Sequence, residues 1–187
     1  MTIRPFDPDR DYPAVVACFN ANFPDFRETE EEFRYHDDYR EADKPFARFV
    51  AEGNGALLGF AQYSQGVHAP HPEKFDVDIQ VLPQAQGSGV GRALYDHLRD
   101  TLAPHDPRAL RAWTMETLSR PVRFLADRGH VEEMRVQESW LDVPAFDPAP
   151  FDGAVARVEA QGIVLTDFVA LEARWPDARR RLYDLAM

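Results

Sequence analysis

Residues 81 to 94 read Val-Leu-Pro-Gln-Ala-Gln-Gly-Ser-Gly-Val-Gly-Arg-Ala-Leu, a glycine-rich turn between two segments of regular apolar spacing. The chemistry open to such a turn is anion binding. Gly87, Gly89 and Gly91 have no Cβ, so successive backbone N–H groups can converge on one anion without steric penalty. Where a helix follows at once, its first N–H groups have no intrahelical partner, and its dipole favours negative charge by up to about 2 kcal/mol in partly buried geometry. A diphosphate would satisfy them. A Walker A loop is excluded, because no Lys-Ser or Lys-Thr follows Gly91. The dinucleotide fingerprint requires G-x-G-x-x-G early in the chain and an acidic residue about twenty positions on. Here G-x-G-x-G stands after roughly eighty residues, with Glu116 an imperfect ribose partner. A plain strand-to-helix turn is the remaining alternative.

The turn needs a strand before it and a helix after it, and periodicity supplies both. Over 74–81, Phe75, Val77, Ile79 and Val81 alternate with Asp76, Asp78 and Gln80, which predicts a strand with one apolar and one acidic face. Val90, Leu94, Leu98 and Leu102 recur every four residues, which predicts an amphipathic helix. Upstream, the pattern predicts a strand over 2–6, a helix over 11–23 and a second helix over 29–41, the latter opened by a Thr29/Glu32 capping box. Strands over 46–52 and 56–64 join through Gly53-Asn54-Gly55, a hairpin signal because these residues tolerate positive φ. Downstream, a strand over 108–114, a helix from Pro121 to Arg128 and a last strand region over 132–143 are expected. The sum is a mixed α/β sheet.

Charge and cysteine content narrow the function. With 32 acidic against 21 basic residues the net charge is −11, and no basic block exists outside Arg179-Arg180-Arg181. That argues against nucleic-acid binding, which needs a concentrated basic face. A single cysteine, Cys18, cannot close an internal disulfide and fits a reducing compartment. It lies beside an apolar helical stripe without an activating neighbour and reads as packing. The first residues lack the apolar run of a signal peptide and no later stretch could span a bilayer, so a cytoplasmic protein with no membrane partner is expected. His68 and His71 form an H-x-x-H pair, but Pro70 and Pro72 oppose a helix and no cysteine adds a ligand; no metal is expected.

Gln86-Gly87-Ser88-Gly89-Val90-Gly91 matches a Q/R-x-x-G-x-G/A signature, Val81-Leu82-Pro83 stands at a V-x-P step, and Arg128-Gly129-His130 closes the next helix. On these residues the stretch 1–143 resembles the GCN5-related N-acetyltransferase (GNAT) family. The resemblance implies a mixed, mostly antiparallel central sheet flanked by helices, the acyl-CoA N-acyltransferase fold. It implies acetyl-CoA as co-substrate and direct transfer of its acetyl group to a primary amine, on a small molecule or a protein. The residues it implies for CoA binding are Val81, Gln86, Gly87, Ser88, Gly89, Val90 and Gly91, with Arg92 as a supporting charge. In that family the fourth and fifth strands splay near the turn and the pantetheine arm enters the gap, here between 74–81 and 108–114. Proton removal from the ammonium would fall to Asp76, Asp78 or Glu116.

Two departures matter. Leu125 occupies the position of the family's usual Tyr acid, and the Asn often found one helical turn earlier is missing around Leu118-Ser119. Either His130 or water then protonates the thiolate, or the chain is a catalytically weak acyl-CoA-binding remnant of a tandem enzyme. Residues 144–150 are Pro/Asp-rich and read as a linker. The segment 151–187 is expected to be helical over 151–161, extended over 162–167 and helical over 176–184, resembling the start of a second copy. Its apolar side chains are expected to pack on the first domain or in a homodimer.

Overall fold

The computed structural model describes residues 1–65 and 71–186. The chain divides into two compact units, Met1–Glu133 and Met134–Met187. In the first, β1 (Thr2–Pro5), α1 (Tyr12–Asn22), α2 (Glu30–Asp38), β2 (Phe46–Gly53), β3 (Ala56–Ser64) and β4 (Lys74–Val81) precede the glycine turn. After it come α3 (Val90–Leu102), β5 (Ala109–Arg111) and α4 (Ser119–Ala126). The sheet runs β1-β2-β3-β4-β5, antiparallel throughout except for the parallel pair β4/β5.

Local sequence explains the junctions. Asn54 and Gly55 both take positive φ, at 52° and 78°, so the two-residue turn matches the twist of β2 and β3 and sets Gly53 opposite Ala56. Thr29 Oγ1 accepts from the Glu32 N–H while the Glu32 carboxylate accepts from the Thr29 N–H, at 3.2 and 2.7 Å, so the capping box starts α2 as expected.

Strand alternation gives each sheet face its own layer. Phe49, Ala51, Ala61, Tyr63, Phe75 and Val77 pack with Val90, Leu94, Leu98 and Leu102 of α3. On the opposite face Val50 and Phe60 pack with Val15, Val16 and Cys18 of α1 and Phe33 of α2. Arg48, Gln62 and Asp78 share that second face, because Arg48 is registered with Gln62 and Gln62 with Asp78. The acidic side of β4 therefore looks towards α1 and α2.

Two expectations need correction. The fifth strand is Ala109–Arg111 alone, and no strand forms over 132–143 among the described residues. A strand needs a neighbouring edge for its N–H and C=O groups, and Glu132 and Glu138 interrupt the alternating face that Met134, Val136 and Trp140 would otherwise offer for burial. Val131, Met134, Val136 and Trp140 are exposed.

The second unit consists of helices α5 (Ala154–Glu159), α6 (Phe168–Arg174) and α7 (Ala178–Ala186) with two short 3-10 turns. Residues 163–167 join no ladder, so the extended segment expected there is not a sheet strand. Helix α6 goes beyond the sequence expectation; Asp167 caps it by accepting from the Ala170 N–H at 2.8 Å. Among the described residues no helix is long and apolar enough to cross a membrane.

Candidate functional site

The turn leaves β4 through a 3-10 segment, Pro83–Ala85, and enters α3 at Gly89. Ala85 N–H donates to Leu82 O at 2.8 Å and Gln86 N–H to Pro83 O at 3.3 Å; the next backbone bond of this segment is Ala93 N–H to Gly89 O at 3.0 Å. Between them, the N–H groups of residues 87–92 make no well-formed hydrogen bond to the backbone among the described residues. Gly87 and Gly89 hold φ of 84° and 94°, which L side chains rarely adopt. A Cβ on Gly89 would meet nothing within 4 Å, so the N-cap of α3 faces open space. Gly91 serves differently: a Cβ there would lie 3.4 Å from Phe124 Cε2 and 3.6 Å from Val81 Cγ2. Its bare backbone lets α4 pack against the turn.

Gln86 is a clamp. Its Nε2 donates to Val81 O and Asn22 Oδ1, both at 3.1 Å, while Asn22 Nδ2 donates to Val81 O at 3.2 Å. Gln86 thus ties the end of α1 to the end of β4, and the Val81 carbonyl already has two donors. Ser88 Oγ is likewise committed, donating to Ala85 O at 2.7 Å. Arg92 is exposed in the first turn of α3.

β4 and β5 pair only through Lys74–Ala109, Phe75–Leu110 and Asp76–Arg111. Beyond Asp76, strand β4 runs on to Val81 with no strand partner on its β5 side among the described residues, ending at the turn. A backbone edge is thereby left open next to the unengaged N–H groups.

The carboxylates separate by environment. Asp76 is ion-paired with Arg111 Nε at 2.8 Å, which occupies it. Asp78 is half-buried, and burial pushes its carboxyl above the ordinary range, against the opposing influence of Gln80 and Arg48. Gln80 Nε2 donates to Asp78 Oδ1 at 2.6 Å. Glu116 is exposed in the loop before α4. Asp76 and Asp78 share one face of β4; Glu116 stands on a different element.

Around Asp78, Arg48 donates through Nη1 and Nη2 to Asp37 at 2.8 and 3.0 Å and through Nε to Gln62 at 2.7 Å. Tyr12 and Arg40 also donate to Asp37, each at 2.6 Å. Burial opposes the ionised form of Asp37, yet the Tyr12 and Arg48 bonds outweigh it and hold the carboxyl below its usual range. Burial pushes the Cys18 thiol up to about 12, with Asp78 adding to the effect, which agrees with a packing role.

Leu125 is half-buried on α4. His130 Nε2 lies 3.1 Å from the Tyr95 hydroxyl, and burial followed by the charge of Arg128 pushes its imidazole down. A neutral His130 held by Tyr95 makes a poor acid near neutral pH. His68 lies outside the described residues, and no group of three or more His, Cys, Asp or Glu side chains suited to a metal occurs among the described ones. Asn22 and Arg111 carry no signal in the sequence: each acts on a partner from a distant position or from across a strand pair, whereas Gln80 reaches Asp78 two positions along the same strand face.

A family model described as "Acetyltransferase (GNAT) family" matches residues 12–130. A mycothiol acetyltransferase of Streptomyces griseus subsp. griseus is 35% identical over 97 residues, covering 50% of this chain and 31% of that protein. This chain therefore matches about a third of that relative's length. Among solved structures, a ribosomal-protein-alanine N-acetyltransferase from Brucella melitensis aligns with TM-score 0.59 at 22% identity, over 69% of this chain and 83% of its own. An N-acetyltransferase from Staphylococcus aureus aligns with TM-score 0.58 at 22% identity, over 68% and 81%. At these identities the structures speak for the fold.

Proposed function

The chain belongs to the GNAT acetyltransferase family, and from that premise we propose that it transfers an acetyl group from acetyl-CoA directly to a primary amine. The observation that carries this reading is the set of N–H groups at 87–92, without well-formed backbone acceptors among the described residues, at the start of α3 and beside the open edge of β4. Such a cradle fits the diphosphate of CoA, and the β4 edge fits the amide-bearing pantetheine arm. Acetyl-CoA supplies an activated acyl group as its thioester. The chain's own part is to hold it and to take a proton from the acceptor ammonium. We assign that second task to Asp78, through a water molecule, because a carboxylate raised by burial lies closer to the operating pH than an ordinary one. The leaving thiolate takes its proton from water, since His130 is neutral and Leu125 has none to give. We read the protein as cytoplasmic, which its lone, buried Cys18 supports.

The test is release of CoA from acetyl-CoA across a panel of amino acids, polyamines, amino sugars and peptide N-termini. Turnover on at least one acceptor is expected. Saturable binding of acetyl-CoA with no turnover on any would replace the enzyme by an acyl-CoA-binding protein.

A further inference from the structure

A cation borders the cradle that neither the glycine signature nor its spacing reveals. A Cβ built on Gly87 would lie 3.5 Å from Nη1 of Arg120, so the guanidinium stands against the turn whose N–H groups lack acceptors. Arg120 makes no ion pair or hydrogen bond among the described residues, although the chain carries 32 acidic residues against 21 basic ones. In the same unit Arg4, Arg10, Arg40, Arg48, Arg111 and Arg123 each have a carboxylate within 4.0 Å. Arg27, Arg34, Arg92, Arg99, Arg108 and Arg128 also lack an ion pair among the described residues, so what singles out Arg120 is its place against Gly87, where its charge adds to that of the N–H donors.

We propose that Arg120 is the side-chain partner of the CoA diphosphate, gripping it from α4 while the turn grips it from α3. The inference rests on the acetyl-CoA reading above. A guanidinium presents a planar fork of donors that matches two phosphate oxygens at once. Its position is also fixed from behind. Phe124, one turn further along α4, comes so near Gly91 that a Cβ there would lie 3.4 Å from its Cε2, so the glycine that admits the helix also brings the arginine to the ligand. Arg120 would thus add a second helix's cation to the supporting charge expected of Arg92.

The test is calorimetric titration of CoA and of 3′-dephospho-CoA into wild type, Arg120→Ala and Arg123→Ala. Arg120 is exposed, so its loss leaves the fold intact, which the melting temperature checks. Removing one solvent-exposed, charge-assisted contact is expected to weaken both ligands equally, by about tenfold, with Arg123→Ala unchanged. Equal affinities for wild type and Arg120→Ala would overturn the assignment while leaving the acetyl-CoA reading in place. A loss confined to CoA would move Arg120 to the 3′-phosphate and overturn it too. Wild type that binds neither ligand would remove the acetyl-CoA reading itself, and the role of Arg120 with it.

Discussion

In the role proposed for it, Asp78 meets opposite demands from folding and from chemistry. Its carboxyl is raised by burial, so in the folded protein the ionised form is the less favoured one. The contribution of Asp78 to folding stability is then greatest below the ordinary carboxylate value and is lost as pH rises through the raised one. Proton abstraction needs the ionised form, so kcat/KM should rise over that same interval. Asp78→Asn is expected to increase the melting temperature at pH 7, with no gain below the ordinary carboxylate range. Turnover should drop by about a hundredfold and lose its acidic limb, while affinity for acetyl-CoA is unchanged. A pH-rate profile and calorimetry on the same variant check both signs; an intact acidic limb would remove Asp78 from the reaction.

Among elements, the wall opposite α3 depends on one guanidinium. Arg48 is 5% exposed on β2 and joins α2 to the sheet through Asp37 and Gln62. Arg48→Ala leaves the Asp37 carboxylate partly buried with its main counter-charge gone, which typically costs about 3–5 kcal/mol. Urea unfolding at pH 7 should show that loss. Because Asp37 is held below its usual range, wild type should also lose stability as pH falls through that lowered value, and Arg48→Ala should lose less over the same span. A change under about 1 kcal/mol in the urea midpoint analysis would mean that α2 is held by Phe33 packing alone.

The same elements show what local sequence encodes and what it leaves open. Helices α1 to α4, the β2/β3 hairpin and β4 follow from apolar period, caps and turn residues, all of them local signals. The glycine turn is equally legible, down to its helix-opening position. Three features are not. The last strand fails at 132–143 because strand formation needs a partner edge that composition cannot supply. Gln86 becomes a clamp because Asn22, sixty-four positions away, faces it. Arg120 gains its meaning only from the approach of α4 to Gly87. Contacts set by tertiary approach leave no periodic trace.

At the scale of the molecule, the second unit poses a burial problem. Ala178 is its only buried apolar residue among those described, while Phe151, Val155, Val164, Val169, Leu182 and Leu185 are all more than half exposed. Exposed apolar surface of this extent marks an interaction site, and self-association is the expected outcome. Sedimentation velocity should find a species heavier than the 21.3 kDa chain, shifting towards the monomer in Leu182→Glu or Leu185→Glu. A monomer at every concentration would contradict self-association through this surface.

The function proposed for this protein depends on the grip of the glycine turn, and calorimetric titration of acetyl-CoA into wild type and Gly89→Glu tests that grip most directly. The substitution places a carboxylate at a position of φ 94°, in the space where the diphosphate is assigned. Micromolar or tighter binding to wild type is expected, with a loss of at least about a hundredfold in Gly89→Glu, since several charge-assisted bonds of about 1.5–3 kcal/mol each would be disrupted together. Equal affinity in a folded Gly89→Glu would contradict the assignment of the turn.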